Sequence, residues 1–514
     1  MSNREWQGMD DKDADALFED FVTDLPPEDI AANVTPWKKA IRRVLVGMAL
    51  TTITLNFWCL QYILPTVGMI LLLLGFRTLR RENKWFFGCF VLTLIRAACF
   101  FPLLILNTTV IRSIITGITD IESAMTVFNA FLILIEFVCF RSGIVSVQKK
   151  AGISPHAGGA TALIVWYGLM CLLALFRYSG WIIGLLMVIV YLFILRSLYK
   201  VAKDTDEAGY ALCAAPIKIT DRCIVIGIAA FLAAGCACGY LFGGSYPMKW
   251  SPQSADEHHD VGEIKAQLSE LGFPEYVLDD LSAEDIRACS GASEVVTDVT
   301  DEAFNGGRIE TTKQQGEDGR QTVFQKTVCD VRELRITGVG VRISGERERW
   351  IIFHHFLWTN DAEFYGTEAI QLWPVYRGIS EAWRSDGDVT GRVLCDKDGV
   401  TYVSDYYSLG EQSYTSNSPF FVGQHKTNVF ATFSMPSSVE RCRGYVAYPV
   451  AELRDGYIIS SWFNYTHQQS PFQYPVVTAA EKRMTTAWNN AGAFKTVQDA
   501  LQFYPTDGGA EPIN

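Results

Sequence analysis

Long apolar segments separated by short polar turns fill the first half of the chain. A bilayer core about 30 Å thick requires about 20 apolar residues per helix, because unpaired backbone groups in hydrocarbon cost several kcal/mol each. The pattern predicts about seven transmembrane helices, near residues 44–62, 63–80, 85–106, 124–147, 161–178, 181–199 and 223–243. The predicted α-helical membrane domain therefore covers residues 37–243.

The first two predicted spans come from one apolar run, Val44 to Leu74, which Pro65 interrupts. As a single helix the run would be about 46 Å long at 1.5 Å per residue, too long for one untilted crossing. Basic clusters at 38–43 and 77–84 flank it. Because basic loops remain in the cytoplasm, both clusters require an even number of crossings. Two full spans and a re-entrant hairpin both satisfy that requirement.

Basic residues flank alternate segments along the rest of the membrane domain. Lys149, Lys150 and the cluster from Arg196 to Arg222 lie at every second turn, whereas the turn at 107–122 contains only Arg112. The positive-inside rule therefore predicts a cytoplasmic N-terminus. It also predicts that everything after Gly244 is extracytoplasmic, in a multi-pass protein of the cell membrane.

Charge differs sharply between regions of the chain. Residues 1–36 contain ten acidic side chains against Arg4 and Lys12, which is typical of a largely disordered cytoplasmic tail. From Gly244 onward, 38 acidic residues face 23 basic ones. Phosphates bind basic surfaces, so this acidic domain argues against nucleic-acid binding. The expected partners are the lipid bilayer and an envelope glycan, peptide or protein, and no cofactor is expected.

Two charged residues fall deep inside predicted spans. Arg96 and Glu136 each lie about 11 residues, or about 16 Å, from the cytoplasmic end of the third and fourth spans. A lone charge at that depth costs roughly 3 kcal/mol or more. We therefore predict an intramembrane ion pair between them. Such a pair can be part of an ion route or a fixed structural contact, and the structural role is the simpler interpretation.

The part after the last span divides into four predicted segments. They are a linker at 244–260, a small helical hairpin at 261–291, a mainly-β domain with a C-terminal helix at 292–505, and a loose tail at 506–514. In the hairpin, Pro274 suits the first turn of a helix, and Ser282 with Asp285 forms a capping pattern. The helix at the end of the β-rich domain is expected over Thr478 to Phe503.

Short runs rich in Val, Ile, Tyr, Phe and Trp between Thr322 and Thr466 predict β-strands in a sandwich or open barrel. Trp350 to Trp358 is expected to pair antiparallel with Arg335 to Ser344. Two hairpins are also expected. One joins Gly391–Cys395 to Val400–Asp405 through Asp398 and Gly399, and the other joins Tyr445–Val450 to Tyr457–Phe463 through Asp455 and Gly456.

The β-rich domain contains no recognisable catalytic or metal signature. HExxH, GxSxG and paired CxxC motifs are all absent. His354 and His355 are strand neighbours that point to opposite faces, so they cannot hold one metal together. No catalytic, cofactor or metal residues are therefore assigned. Four cysteines, Cys289, Cys329, Cys395 and Cys442, allow three disulfide pairings or remain free thiols.

Aromatic side chains are the remaining candidates for ligand binding. Indole rings in strands usually belong to the core, but those that are exposed mark a binding face for sugar rings or peptides. The candidate binding aromatics are Trp350, Trp358, Trp373, Trp383 and Trp462.

Two stretches, LPPEDIAANVTPWKKAI and TITLNFWCLQYILPTVGMILLLLGFRTLRRENKWF, resemble uncharacterised multi-pass membrane proteins of anaerobic Gram-positive bacteria. The likeness covers about a tenth of the chain. It implies a bacterial plasma membrane, and it implies no activity or site residues.

The sequence therefore favours a membrane-anchored extracytoplasmic binding or sensing protein of unknown ligand, because most of its non-membrane mass is one domain without catalytic signatures. A transporter or channel-like subunit is the first alternative, since one span would suffice as an anchor. A cell-envelope enzyme with an unrecognised site is the second.

Overall fold

The structure is a computed structural model that describes most of the chain from Trp37 onward. The described residues are 37–55, 59–116, 119–176, 180–210, 212, 219–254, 259–303, 308–315, 321–328, 333–360, 362–378, 382–418, 421–454, 456–485, 491–505 and 512. The predicted acidic tail, Cys329, Asp455 and most of the predicted tail at 506–514 lie outside them. The chain forms two compact units, a membrane unit (1–105 and 115–235) and a sheet unit (106–114 and 236–514).

Within the described ranges, eight helices precede the sheets. They are α1 (Trp37–Thr52), α2 (Leu60–Leu79), α3 (Lys84–Leu106), α4 (Ile111–Thr116), α5 (Thr119–Lys150), α6 (Gly158–Leu175), α7 (Trp181–Glu207) and α8 (Asp221–Phe242). Six helices in the described ranges, α2, α3, α5, α6, α7 and α8, are long and apolar enough to cross a membrane. Each begins within about five residues of its predicted start. The protein is therefore a multi-pass membrane protein.

The predicted first span differs from the helix that forms. Helix α1 begins earlier than expected and has only 16 residues, about 24 Å at 1.5 Å per residue, which is less than a full bilayer core. It packs closely on α2, where a Cβ on Gly47 would lie 2.8 Å from the backbone oxygen of Gly68. Glycine thus allows the two backbones to touch, as small residues do in membrane helix pairs.

Polar contacts connect several of the helix ends and turns of the membrane unit to one another. Asp221, at the start of α8, forms ion pairs with Arg43 of α1 at 2.8 Å and Arg77 of α2 at 3.2 Å. Next to them, the Glu82 carboxylate accepts a 2.6 Å hydrogen bond from the Tyr210 hydroxyl, and its backbone oxygen accepts one from Lys150. These contacts bring together the segments whose basic clusters the sequence assigns to one side of the membrane.

The sheet unit contains fifteen described strands. They are β1 (Ser251–Pro252), β2 (Ala292–Ala303), β3 (Arg308–Gln315), β4 (Gln321–Val328), β5 (Glu333–Ile343), β6 (Arg349–Trp358), β7 (Glu368–Trp373), β8 (Trp383–Ser385), β9 (Thr390–Lys397), β10 (Val400–Asp405), β11 (Ser408–Ser418), β12 (Phe421–Phe433), β13 (Glu440–Glu452), β14 (Ile459–Gln468) and β15 (Phe494–Phe503). All observed pairings are antiparallel. An eight-stranded sheet follows the order β1-β10-β9-β13-β6-β5-β2 with β8 beside β13, a five-stranded sheet follows β11-β12-β7-β14-β15, and β3 pairs with β4.

Two of the predicted strand pairings form and one does not. Strand β6 pairs with β5, and β9 with β10 around Asp398 and Gly399, which both have positive φ. The expected hairpin of β13 with β14 is wrong, because β13 belongs to the eight-stranded sheet and β14 to the five-stranded one. The short connection between them instead passes from one sheet of the sandwich to the other.

Both faces of the eight-stranded sheet are buried. On β6, Trp350 and Phe356 face the core between the two sheets, whereas Ile351 and Phe353 alternate with them and face a helical layer. Three short helices form that layer: α9 (Gly262–Glu270), α10 (Glu275–Leu278) and α11 (Ala283–Ala288). As predicted, Pro274 precedes α10, and Ser282 caps α11 by accepting from the Asp285 amide.

The segment expected to be a C-terminal helix is mostly different. A short helix, α12 (Ala479–Met484), begins with a capping box between Thr478 and Glu481, but Phe494–Phe503 is strand β15. The helix prediction is wrong there, because β15 pairs along its whole length with β14. Its Leu501 and Phe503 also pack onto Gly338 and Gly340 of β5, where a Cβ would lie 2.9 Å from each side chain. Tertiary pairing overrides the local pattern.

The turn between α3 and α5 belongs to the sheet unit. The Val110 amide donates to the Gly243 oxygen at 2.8 Å, and the Val476 amide donates to the Asn107 oxygen at 2.7 Å. The Ser113 hydroxyl donates to Glu481 at 2.8 Å. This turn therefore folds together with the segment that follows α8.

A buried charge network fastens the helical layer to the eight-stranded sheet. Asp280 lies just before α11 and accepts from His355 of β6 at 2.9 Å and from Arg443 of β13 at 2.7 Å. Arg392 of β9 donates to the backbone oxygens of Asp280 and Leu281, each at 3.0 Å. Burial alone would raise the pKa of Asp280, but the hydrogen bond and charge of His355, followed by Arg443, hold it below its ordinary value.

Replacing Asp280 by Asn is expected to destabilise the sheet unit by about 1.5 to 3 kcal/mol at pH 7, because the buried Arg443 would lose one of its two carboxylate partners and keep only Asp396. Urea unfolding of the full chain in detergent micelles, followed by tryptophan fluorescence, measures this. Asp279→Asn is the control, because that carboxylate is 66% exposed in a surface pair with Lys265. It is expected to cost less than about 1 kcal/mol. Equal effects of the two variants would contradict the role given to Asp280.

The difference in stability between wild type and Asp280→Asn should also depend on pH. The pKa of Asp280 is lower folded than unfolded, so its contribution is present above the unfolded value of about 3.9 and is lost as pH falls through the lower folded value. The difference between wild type and Asp280→Asn should persist from pH 7 to about pH 4 and shrink below it. Burial, helped by the charge of Asp298, raises the pKa of Asp499 to about 6. The titration of such groups is the same in both proteins, so it does not change the difference between them.

Candidate functional site

The five tryptophans proposed as binding aromatics separate into two groups. Trp350 and Trp358 are 0% and 1% exposed in the core of the sandwich, so no ligand reaches them. Trp383 is 3% exposed. Trp373 is 38% exposed, and Trp462 is partly exposed beside it, with ring centroids 6.2 Å apart and planes tilted by 50°.

Trp373 and Trp462 are close because β7 and β14 are neighbours in the five-stranded sheet. The two residues are direct partners in the antiparallel register and point away from the sandwich core. They line a groove with a cavity volume of about 770 Å³, which lies within the usual range for ligand pockets. We call this cavity the aromatic groove, and it is lined by Trp373, Pro374, Val375, Arg377, Gly378, Trp383, Tyr414, Lys426, Thr427, Asn428, Ile458, Ser460 and Trp462.

Hydrogen bonds fix the floor of the aromatic groove. Arg483 of α12 donates twice to the Gln371 side-chain oxygen, at 2.9 and 2.7 Å. The side-chain oxygen of Asn428 accepts hydrogen bonds from the Gln371 amide at 2.8 Å, the Tyr414 hydroxyl at 2.9 Å and the Trp373 indole at 3.3 Å. This network holds the Trp373 ring in place without using its exposed face.

The mouth of the aromatic groove carries positive charge. Arg377 forms a surface ion pair with Glu411, and its guanidinium also stacks 5.8 Å from the Tyr376 ring. Lys426 of β12 is exposed at the opposite wall. Trp383 contributes a buried indole N–H that has no hydrogen-bond partner among the described residues. The groove thus combines indole faces with several hydrogen-bond donors.

A serine and a histidine are hydrogen-bonded inside the sandwich, but not as a catalytic pair. His354 lies 2.6 Å from the Ser461 hydroxyl, which also bonds to Tyr448 at 2.6 Å. All three side chains are buried. Burial lowers the pKa of His354 to about 3, so its ring is neutral. His355 points to the opposite face toward Asp280, so both histidines have structural contacts.

Three cysteines in the sheets and helical layer of the sheet unit, Cys289, Cys395 and Cys442, are buried thiols. Cys289, Cys395 and Cys442 form no disulfide in the described part of the chain. Burial raises the pKa of Cys289 to about 12 and that of Cys395 to about 11, which suppresses the reactive thiolate. Across the described residues, no three His, Cys, Asp or Glu side chains are grouped to hold a metal ion.

The structure places Arg96 and Glu136 in contact inside the membrane unit. Arg96 of α3 lies 2.6 Å from the Glu136 carboxylate of α5, and both side chains are buried. The Thr93 hydroxyl donates to the second carboxylate oxygen at 3.3 Å. Neither residue lines the aromatic groove. The pair links two neighbouring antiparallel helices.

No family model and no curated protein matches the chain. One solved structure that is similar is titled "Pore forming protein"; it is 6% identical and covers 40% of this chain and 100% of its own, with a TM-score of 0.18. A likeness at that score carries no argument about fold or function.

Sequence analysis missed most of the groove. Arg377, Tyr414, Lys426, Asn428 and Ser460 come from separate strands and connections, and they share no local motif. The signal that could have found them is strand register. Only the pairing of β7 with β12 and β14 brings them beside Trp373.

Glu136→Gln is expected to destabilise the membrane unit by about 3 kcal/mol or more, because Arg96 would remain buried without its counter-charge. The Arg96→Gln/Glu136→Gln double variant should recover part of that loss. Thermal unfolding in detergent micelles, arranged as a double-mutant cycle, measures the coupling. Glu207→Gln, which breaks an exposed pair with Lys203, is the control and should change stability little. Unchanged stability and membrane insertion in both single variants would show that the pair contributes nothing.

Proposed function

We propose that this protein is a membrane-anchored receptor whose sheet unit lies outside the cytoplasm and binds an envelope glycan in the aromatic groove. The observation that carries the proposal is the exposed, register-paired Trp373 and Trp462 beside polar side chains in one cavity. The resemblance of the chain to membrane proteins of anaerobic Gram-positive bacteria suggests that the membrane is a bacterial plasma membrane.

The chemistry of the groove suits a sugar ring better than a purely apolar ligand. A sugar presents C–H groups on its face and hydroxyls around its rim. The tilted indoles supply flat apolar surface, and Ser460 and Asn428 supply polar contacts at the edge. Lys426 favours a glycan with acidic substituents, because its exposed ammonium is a positive charge within an otherwise strongly acidic sheet unit.

Two features of the fold support an extracytoplasmic sheet unit. The basic segments assigned to the cytoplasm meet around Asp221 and Glu82 at one end of the membrane unit. The turn at 107–122, assigned to the opposite side, contributes its residues 107–114 to the sheet unit. Both groupings agree with the alternation that the positive-inside rule predicts.

Transport is the weaker hypothesis. A transporter would need a polar cavity leading to its intramembrane charges. Arg96 and Glu136 are instead in direct contact with each other, and both side chains are buried. The pair therefore serves better as a structural contact.

The Trp373→Ala/Trp462→Ala variant is expected to weaken glycan binding by about 25-fold or more, on the order of 1 to 3 kcal/mol per stacked ring by analogy with stacking on aromatic side chains. The full chain in nanodiscs is screened on an array of neutral and acidic envelope glycans, and hits are titrated. Tyr504→Ala removes an aromatic ring that is 53% exposed outside the groove and should bind as wild type.

Lys426→Gln extends the binding test to charge. Its affinity should fall selectively for acidic glycans and less at high salt. If wild type bound no glycan on the array, or if the Trp373→Ala/Trp462→Ala variant bound as tightly as Tyr504→Ala, the proposed ligand would be wrong.

Topology is tested separately from ligand binding. A protease added to intact spheroplasts should cleave the sheet unit, and an alkaline phosphatase reporter fused after Asn514 should be active. A cysteine reporter placed in the tail at 1–36 should react with an impermeant label only after lysis. A protected C-terminus in intact cells would contradict the extracytoplasmic assignment.

A further inference from the structure

The membrane unit contains a second cavity with a different character. It has a volume of about 720 Å³ and lies between α2, α3 and α8. Most of its wall is apolar, with Leu94, Ala98 and Phe101 from α3 and Ile228 and Phe231 from α8. We call it the arginine cavity, because Arg77, Arg80 and Arg81 line one end.

The three arginines differ in their contacts. Arg77 is held by Asp221 at 3.2 Å and also donates to the Ile219 oxygen. The Arg80 guanidinium lies 5.4 Å above the Phe90 ring, and Arg81 is exposed. Among the described residues, neither Arg80 nor Arg81 has a carboxylate partner within 4 Å. Within the described ranges, two positive charges at this end of the cavity therefore have no carboxylate counter-ion.

Arg80 and Arg81 lie next to the hydrocarbon region because of their position at the end of α2. Arg80 and Arg81 follow directly after the last residue of α2, Leu79, and α3 begins three residues later at Lys84. The guanidiniums consequently lie at the boundary between the span and the aqueous phase. Burial, and then the nearby charges of Arg77 and Arg81, lower the pKa of Arg80, which shows how crowded the positive charge is there.

We propose that the arginine cavity binds one anionic phospholipid. Its phosphate lies against Arg80 and Arg81, and an acyl chain follows the apolar wall between α3 and α8. Charge complementarity identifies the headgroup, since clustered Arg and Lys beside transmembrane helices attract anionic lipids. The apolar length of the cavity identifies an acyl chain, because a soluble phosphate would leave that wall uncovered.

Helix α8 gives the proposed lipid a structural role. Of the described residues of α8, few are covered by protein; Gly239 is the buried one. Contacts of Ile228 and Leu232 with α2 and α3 cover part of one face. An acyl chain in the cavity would fill the space beside these contacts. Bound lipid should therefore stabilise the full chain in proportion to its concentration.

The experiment is lipid titration of the purified full chain in a mild detergent, read by native mass spectrometry. Phosphatidylglycerol is compared with phosphatidylcholine of the same chain length. Wild type should bind one phosphatidylglycerol in preference to phosphatidylcholine. Arg80→Gln/Arg81→Gln should weaken phosphatidylglycerol binding by about 25-fold, from about 1 kcal/mol per basic residue.

Two further variants make the result specific to the cavity. Lys149→Gln/Lys200→Gln removes two exposed charges from the ends of α5 and α7 and should bind as wild type within about twofold. Ala98→Trp keeps every charge but fills the apolar wall, and it should weaken binding about tenfold or more, as overpacking does. Size-exclusion profiles verify that each variant is folded.

Four outcomes would overturn the proposal. The first is equal affinity for phosphatidylcholine and phosphatidylglycerol. The second is an equal loss in the Lys149→Gln/Lys200→Gln control, which would indicate general charge attraction. The third is unchanged binding by Ala98→Trp, which would show that the acyl chain does not enter the cavity. Inorganic phosphate competing as well as the lipid would likewise exclude an acyl contribution.

Discussion

The intolerance of hydrocarbon for unpaired charge and backbone is the constraint on which the membrane unit depends. It requires helices there, and it favours two arrangements of charged side chains. The first is pairing with an opposite charge. Arg96 and Glu136 take the first by pairing at 2.6 Å. The second is a position at the end of a helix, as for Arg77, which lies in the last turn of α2 and pairs with Asp221.

Burial imposes a comparable constraint on the sheet unit. The eight-stranded sheet is covered on both faces, so its central strand β6 is apolar almost throughout and its histidines must find partners. His354 bonds to Ser461 in the sandwich, and His355 bonds to Asp280 below the helical layer. Because Asp280 is also held by Arg443, the helical layer and the sheet are one cooperative packing unit rather than a spacer and a domain.

Sequence patterns predicted elements better than their partners. Apolar length found the helices that span the membrane, and the Pro274 and Ser282 signals found the short helices, because these depend on local physics. The pairing of β13 with β14 failed, since a turn signal at Gly456 does not reveal whether two strands share a sheet. Strand β15 failed because its pairing with β14 outweighs helix propensity. The aromatic groove depends on the same long-range register. Of the residues that line it, the sequence therefore predicted only the tryptophans Trp373, Trp383 and Trp462 as binding residues.

Structural sites and candidate binding sites in this protein differ in whether their polar groups have hydrogen-bond or ion-pair partners within the protein. The Asp280 network joins each charge to a counter-charge or a backbone oxygen, and it is closed to solvent. Arg80, Arg81 and the Trp383 indole differ, because each lies at a cavity and lacks a protein partner among the described residues. An unpaired donor costs free energy when it is buried, as the Trp383 N–H is, whereas an exposed guanidinium such as that of Arg81 is hydrated and can exchange water for an anionic group. This contrast with the closed Asp280 network is the reason why we propose ligand binding at the cavities and not at the network.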